Sequence, residues 1–552
     1  MLLFSLEKAL KLTEGIGTES CADYRRRLLG HHPSICTNLA HHYCRLAKAK
    51  SHVEANLMLL RTDDYLKLGS GSDSLYLSCP DDELRDFAKW HSHNLEKLII
   101  RKVRRGSSKT VIQLAIDYLE HRGLTFPLDN PFEASQEEIA GAIARVKCDL
   151  WWRQKLRKLQ DIKMETVQIE MGQVNKVAGI YASHNCVKRK FAQAARNKDV
   201  LAQYVAENDL GQSFTLLDIA ERGVSNPVNR RNELMTRIAG FEAIGKARGH
   251  KGVFVTLTAP SKYHSFLSKP CVSNPKYQSL TPADAQSYFN GQWRKVRAKL
   301  KRDNIAPYGF RVVEPHHDGC PHWHMLLFIE PEKKQALIDT LTHYALQIDG
   351  SEAGAETHRI KVEYIDQKKG TAAGYIAKYI SKSIDGAKLD ADLYGQDAVK
   401  SAGRIRAWAS AWKIRQFQQI GGPPVTVWRE LRRLTAGDKK ETALEGLSDD
   451  HLRQIADAAD TGDWQAFTEL FGGPIIARKD QPIRPFEIVK DKPSRYEEAA
   501  KQLIGLIYRT SEFIQTRFRT WEIKRKESFN TSATALFSSS GGANAPPLEF
   551  CQ

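Results

Sequence analysis

The stretch Glu314-Pro-His-His-Asp-Gly-Cys-Pro-His-Trp-His-Met-Leu-Leu-Phe328 decides the reading of this chain. Its last residues are apolar and aromatic, as a strand requires. Pro315-His-His-Asp-Gly319 has the composition of a tight turn. The residues before it, Tyr308 to Glu314, form a second strand, so the segment is predicted to be a hairpin. Strand side chains alternate with period two, which puts His322 and His324 on one face. Folding back across the turn brings Glu314 level with that pair. Two histidines and a carboxylate leave coordination positions open, as a catalytic metal needs. With water and phosphate oxygens completing the shell, Mg²⁺ or Mn²⁺ is favoured over closed zinc. Cys320 shares the parity of the histidines, but a thiolate suits a hard cation poorly and it is read as packing. His316 and His317 fall in the turn and are read as contacting DNA or solvent.

Working outward, Val253 to Thr258 is β-branched and aromatic and is predicted to be a strand. Thr281-Pro282 starts a helix, with Thr as N-cap and Pro at the first helical position. That helix carries Phe289, Trp293, Val296 and Leu300 on one side. A helix is expected from Pro331 to about 347, a strand from His358 to Ile365 and a helix from Gly370 to Ile384. Before them, residues 232–249 form an amphipathic helix with Leu234, Ile238, Phe241 and Ile244 on one side. The order β-α-β-β-α-β is the ferredoxin-like pattern, an antiparallel sheet with helices on one face. The expected fold class is α+β.

The helix at the end of this unit contains Tyr375-Ile-Ala-Lys-Tyr-Ile-Ser-Lys382. Tyr375 and Tyr379 share a helical face, and Lys378 and Lys382 form a second pair beside them. A free phenol has a pKa of about 10 and is a weak nucleophile until a cation or base stabilises its anion. A neighbouring lysine can lower that cost and hold a phosphate. Read alone, the segment is better explained as a packed amphipathic helix whose lysines snorkel; the histidine motif upstream is what favours chemistry.

The chain has 552 residues and a formal net charge of +17. That length exceeds one hydrophobic core, and that charge suits a polyanionic partner such as nucleic acid. No apolar run reaches membrane-spanning length, and the start of the chain lacks the form of a signal peptide. The 9 cysteines are scattered, without a Cys-x-x-Cys pair, which fits a reduced cytoplasmic protein. Residues 1–225 read as helical and basic, with Trp151-Trp-Arg-Gln-Lys-Leu-Arg-Lys158 either tracking phosphates or anchoring a core through its tryptophans. A Cys36, His41, His42, Cys44 run, with Cys21, His31 and His32 nearby, could hold zinc, but its irregular spacing favours packing. The unit around the histidines is bounded at 226–434. Residues 435–527 are expected to be helical, with a proline-rich linker and a charged helix from about 494 to 527. Residues 528–552 are expected to be disordered.

Together these motifs resemble the HUH superfamily of single-strand DNA endonucleases, and more closely the bacteriophage replication gene A protein family. Val255-Thr-Leu-Thr-Ala-Pro260 is similar to the family's first motif, Glu314 to His324 to its metal motif and Tyr375 to Lys382 to its two-tyrosine motif. The resemblance covers about 232 to 434, and nothing is carried over to the flanks. It implies site-specific nicking of a phage origin through a 5′-phosphotyrosine intermediate. The metal ligands would be Glu314, His322 and His324, the nucleophiles Tyr375 and Tyr379, and the phosphate contacts Lys378 and Lys382. The freed 3′-OH would prime a host DNA polymerase in the bacterial cytoplasm. A host helicase is implied too, because the chain has no Gly-x-x-x-x-Gly-Lys-Ser/Thr loop. A rolling-circle two-tyrosine transposase, or a metal-dependent nuclease using water, would share most of these residues.

Overall fold

The computed structural model describes residues 2–103, 108–365, 371–387, 391, 395–434, 446–447, 449–509 and 511–526. The expected disordered tail lies outside these residues, as do Gly370 and part of the acidic segment after 434. The protein is α+β, and its organising element is a five-stranded antiparallel sheet. The strands are β1 (Lys251–Thr258), β2 (Tyr308–Pro315), β3 (Pro321–Ile329), β4 (Ile360–Tyr364) and β5 (Phe417–Ile420), in the order β4-β1-β3-β2-β5. β3 is central and buried along its whole length, which explains its near-continuous apolar sequence.

Five helices frame this sheet: α1 (Pro227–Ala247), α2 (Pro282–Arg302), α3 (Lys334–Leu346), α4 (Ala372–Ile384) and α5 (Ala398–Trp412). Thr281 caps α2 as expected, in a full capping box with Asp284. The two helices within the β-α-β-β-α-β order, α2 and α3, lie on one face, and the flanking helices α1 and α4 cover the other. On one face, Phe289, Trp293 and Leu300 of α2 and Leu337 and Leu341 of α3 pack on Val253, Val255, Trp323 and Met325. On the other, Ile238 and Phe241 of α1 and Ile376 and Ile380 of α4 pack on Phe254, Phe310, Val312 and Leu326. The odd and even positions of each inner strand are both apolar, so each face needs its own cover. The second face is the one toward which the proposed ligands point.

The N-terminal region is helical as expected, apart from short strands such as Tyr204–Asn208. Trp151 and Trp152 are buried in its core, so here the anchoring role prevails. The C-terminal expectation needs correction. Two helices form, Asp450–Thr461 and Trp464–Leu470, but the expected linker and charged helix are strands. Ile483–Val489, Lys501–Tyr508 and Glu512–Gln515 make a three-stranded antiparallel sheet. Pro485 sits in its edge strand, where a missing N–H costs no ladder bond. Trp521–Arg525 pairs with Tyr204–Asn208, more than three hundred residues away. Nor do the apolar residues separate at 434: Trp464, Phe467, Leu506 and Ile514 share one cluster with Phe241, Phe310 and Ile380. Among the described residues no helix is long and apolar enough to cross a membrane.

Candidate metal and tyrosine centre

The hairpin register places Glu314 directly opposite His322, and Val312 opposite His324. Glu314, His322 and His324 are all buried, and one ligand atom from each lies within 4.8 Å of the others. Nε2 of His324 is 3.8 Å from Oε2 of Glu314. Nδ1 of His322 and Nε2 of His324 are buried without a hydrogen-bond partner. Unpaired buried nitrogens are costly, and a cation would satisfy them. Burial and neighbouring cations, Lys382 among them, hold both imidazoles well below the ordinary histidine range. They are therefore neutral and can offer lone pairs. The donor set thus fits a divalent metal.

The sheet supplies a further shell. Thr256 stands opposite His324 in register, and its Oγ1 lies 3.0 Å from Nδ1 of His324. A hydrogen bond at Nδ1 fixes the ring and turns Nε2 toward Glu314, the usual way a ligand histidine is oriented. Sequence reading missed Thr256, although it lies in the strand quoted as the first motif, and the strand order was the missing piece.

α4 lays its tyrosine face on these side chains. The Tyr379 ring stacks on His324 with centroids 3.9 Å apart. It also stacks on Phe254 at 5.5 Å, whereas Tyr375, one turn earlier, reaches Phe254 at 6.4 Å. Burial, and then the charge of Glu314, push the Tyr379 phenol up to about 12. One turn on, Lys382 Nζ donates to Glu314 Oε2 at 3.2 Å and Ser383 Oγ donates to Oε1 at 3.0 Å. Burial raises the Glu314 carboxyl, and Lys382 opposes that rise. Lys382 is buried against the carboxylate, while Lys378 is exposed with its Nζ 4.9 Å from the Tyr379 ring. At the start of α4, Glu242 of α1 accepts a hydrogen bond from the Ala373 amide at 2.8 Å, a carboxylate at a helix N-terminus.

The turn histidines depart from expectation. His316 is only half-exposed, its ring lies 4.1 Å from that of His322, and its Nε2 is buried without a partner. His317 is buried as well. Behind them, His264 Nδ1 lies 3.1 Å from Asp318 Oδ2, and the His264 ring meets His316 at 5.1 Å. Gly319 takes φ +82, and a Cβ there would come 3.2 Å from the Tyr181 carbonyl, so the turn requires glycine. Trp408 of α5 donates from Nε1 to the Gly319 carbonyl at 2.8 Å. Cys320 packs among Val313 and Trp323 on the other face, as its softness suggested. The N-terminal cysteines and histidines do not converge. His31 and His32 bind Asp63, and Cys36 sits in the core. Among the described residues, Glu314, His322 and His324 form the one metal-competent group.

The model of the bacteriophage replication gene A protein family matches residues 83–387. It thus begins well inside the helical region, beyond the extent that the motifs indicated. The probable replication protein of Pseudoalteromonas phage PM2 is 37% identical over 488 residues, covering 86% of this chain and 74% of that protein. The replication gene A protein of Escherichia phage 186 is 40% identical over 421 residues, 74% of this chain and 59% of its own length. A probable replication endonuclease from a prophage-like region of Escherichia coli is 34% identical over 71% of this chain and 50% of its own length. Toward several such relatives, then, the chain spans half to three-fifths of their length. No solved structure matches. The chain belongs to the bacteriophage replication gene A protein family.

Proposed function

We propose that this chain is a site-specific single-strand DNA endonuclease that nicks a phage origin by tyrosine transesterification and so starts and ends rolling-circle replication. The observation that carries the proposal is Tyr379 stacked on His324, inside the reach of a Glu314, His322 and His324 ligand set. The strand order β4-β1-β3-β2 supports reading the sheet as the ferredoxin-like core of an HUH endonuclease. Names of relatives as replication proteins and replication endonucleases support replication over transposition.

A divalent cation, Mg²⁺ or Mn²⁺, bound by Glu314, His322 and His324 would polarise the scissile phosphodiester and offset its developing charge. The Tyr379 phenol loses its proton, and its oxygen forms a bond to phosphorus as the bond to the 3′ oxygen breaks. The leaving oxygen takes up a proton and becomes the 3′-OH that a host polymerase extends. Lys378, exposed beside the ring, holds a phosphate oxygen at the strand. Lys382 and Ser383 hold Glu314 in place, and Lys382 lies close enough to the centre to share in phosphate charge. Tyr375, on the same helical face, would take the second strand transfer after one round. Strand separation falls to a host helicase, in the cytoplasm of the bacterial host.

The test is incubation with end-labelled single-stranded DNA from the chain's own gene region plus Mg²⁺ or Mn²⁺, read on a denaturing gel. A protein-linked band, lost on chelation and in the Tyr375→Phe, Tyr379→Phe double variant, is expected. Cleavage that persists in the double variant without any adduct would make the protein a water-using metal nuclease instead.

A further inference from the structure

Arg311 lies on β2 three residues before Glu314, so it projects from the opposite sheet face. It is 4% exposed, and its guanidinium carbon lies 4.0 Å from the Trp323 ring centroid. Nη2 donates to the Arg415 carbonyl over 3.5 Å, and Nε is buried without a partner. A buried cation is costly unless an anion answers it. None does among the described residues: burial and the charges of Arg415 and Arg297, both cations, pull it down to about 10. Arg297 on α2 and Arg415 just before β5 are exposed. Arg415 also acts on Arg237, which belongs to α1 on the metal-side face and whose carboxylate partner is Glu233. Planar guanidiniums are suited to oxyanions with paired oxygens, above all phosphates.

We propose that Arg297, Arg311 and Arg415 form a phosphate-binding site for the backbone of a DNA strand, on the sheet face opposite the metal and tyrosines. The inference rests on the nuclease reading and adds a second place where the strand is held. An extended polyanion fits better than a small free anion, because exposed Arg294, Lys295, Lys301 and Arg302 continue along α2. Arg311 and Glu314 lie about 10 Å apart along β2 but on opposite faces, so a strand that serves both has to pass round the β5 edge.

The test measures binding of a labelled single-stranded oligonucleotide to the full chain by fluorescence anisotropy, in chelator, from about 50 to 200 mM salt. Both wild type and the Tyr375→Phe, Tyr379→Phe variant are titrated, so the readout does not depend on cleavage. The Arg297→Ala, Arg415→Ala variant should reduce the slope of log K against log salt by about 1.4, two phosphate contacts at about 0.7 each. Removing the same charge from the N-terminal helices instead, with Arg26→Ala and Arg27→Ala, should leave the slope unchanged. Adduct formation at saturating DNA should survive in the arginine variant. An unchanged slope, or an equal fall in the distant control, overturns the proposal. So does calorimetric binding of inorganic phosphate that the arginine variant loses while its DNA slope stays the same, which would mark a free-anion site. Loss of adduct in wild type would instead sink the nuclease reading and leave the slope result standing.

Discussion

Tyr379 lies face to face with His324, ring centroids 3.9 Å apart and planes 26° from parallel. One side of that imidazole is thus covered by a phenol, while its Nε2 looks toward Glu314 at 3.8 Å. The pairing sets the two tyrosines apart, because Tyr375 sits a turn away. Tyr379→Phe should lower first-strand cleavage at least about a hundredfold, roughly 3 kcal/mol of barrier. Tyr375→Phe should leave the first cleavage within a few fold and block the second transfer. Single-turnover rates on one-site and two-site substrates measure both effects.

Thr256 orients His324 from the neighbouring strand. Thr256→Val keeps the shape but removes the hydrogen bond at Nδ1, and metal affinity should fall about 10- to 100-fold. Thr256→Ser should restore most of it. Calorimetric titration with Mn²⁺ gives the numbers, and an unchanged affinity would mean that the hydrogen bond does not orient the ligand.

The Asp318–His264 pair is a buried ion pair behind the histidine turn. His264 is held well above its ordinary value by the Asp318 and Cys320 groups facing it, against the opposing effect of burial, and Asp318 is held low. A raised histidine contributes stability that is complete below its unfolded pKa, about 6.5, and is lost as pH rises through the folded value. The destabilisation caused by His264→Asn should therefore be largest below about pH 6.5 and shrink as pH rises into alkali. Urea denaturation of both proteins across that range checks the sign, and a cost that grows with pH would contradict it.

Trp464 is 1% exposed and meets Phe241 at 6.1 Å and Trp428 at 5.0 Å. Trp464→Ala should cost about 3 to 5 kcal/mol. For the same reason a chain cut after 434 should be insoluble or aggregate, because Phe241 and Phe310 would lose their cover. A soluble, folded fragment ending there would show that the two regions do not share a core.

The hairpin, its turn and the tyrosine helix were legible because each rests on local pattern. Alternation fixes which side His322 and His324 take, and a tight turn of known length brings Glu314 opposite His322. Helical spacing puts Tyr375 and Tyr379 on one face, and Thr281-Pro282 signals its own cap. What was not legible depends on contacts between distant segments. Thr256 meets His324 only because β1 lies beside β3. His317 looks exposed in a turn of Pro, His, Asp and Gly, yet it is buried because Trp408 and Tyr181 close over that turn. The strands from Ile483 to Gln515 were hidden by prolines and charges, although Leu503, Ile504, Leu506, Ile507 and Tyr508 form an apolar run with two β-branched residues and an aromatic one. Trp521–Arg525 finds its partner strand at the far end of the chain, which no local pattern indicates.

The most direct measurement is the site of covalent attachment. Lys378 separates the two tyrosines, so trypsin places Tyr375 and Tyr379 on different peptides. The adduct formed with single-stranded origin DNA and Mn²⁺ would be trimmed with nuclease, digested and sequenced by mass spectrometry. A nucleotide on the peptide Tyr379-Ile-Ser-Lys382 after the first cleavage is the predicted result. A nucleotide confined to the Tyr375 peptide, or cleaved DNA with neither peptide modified, would contradict the account.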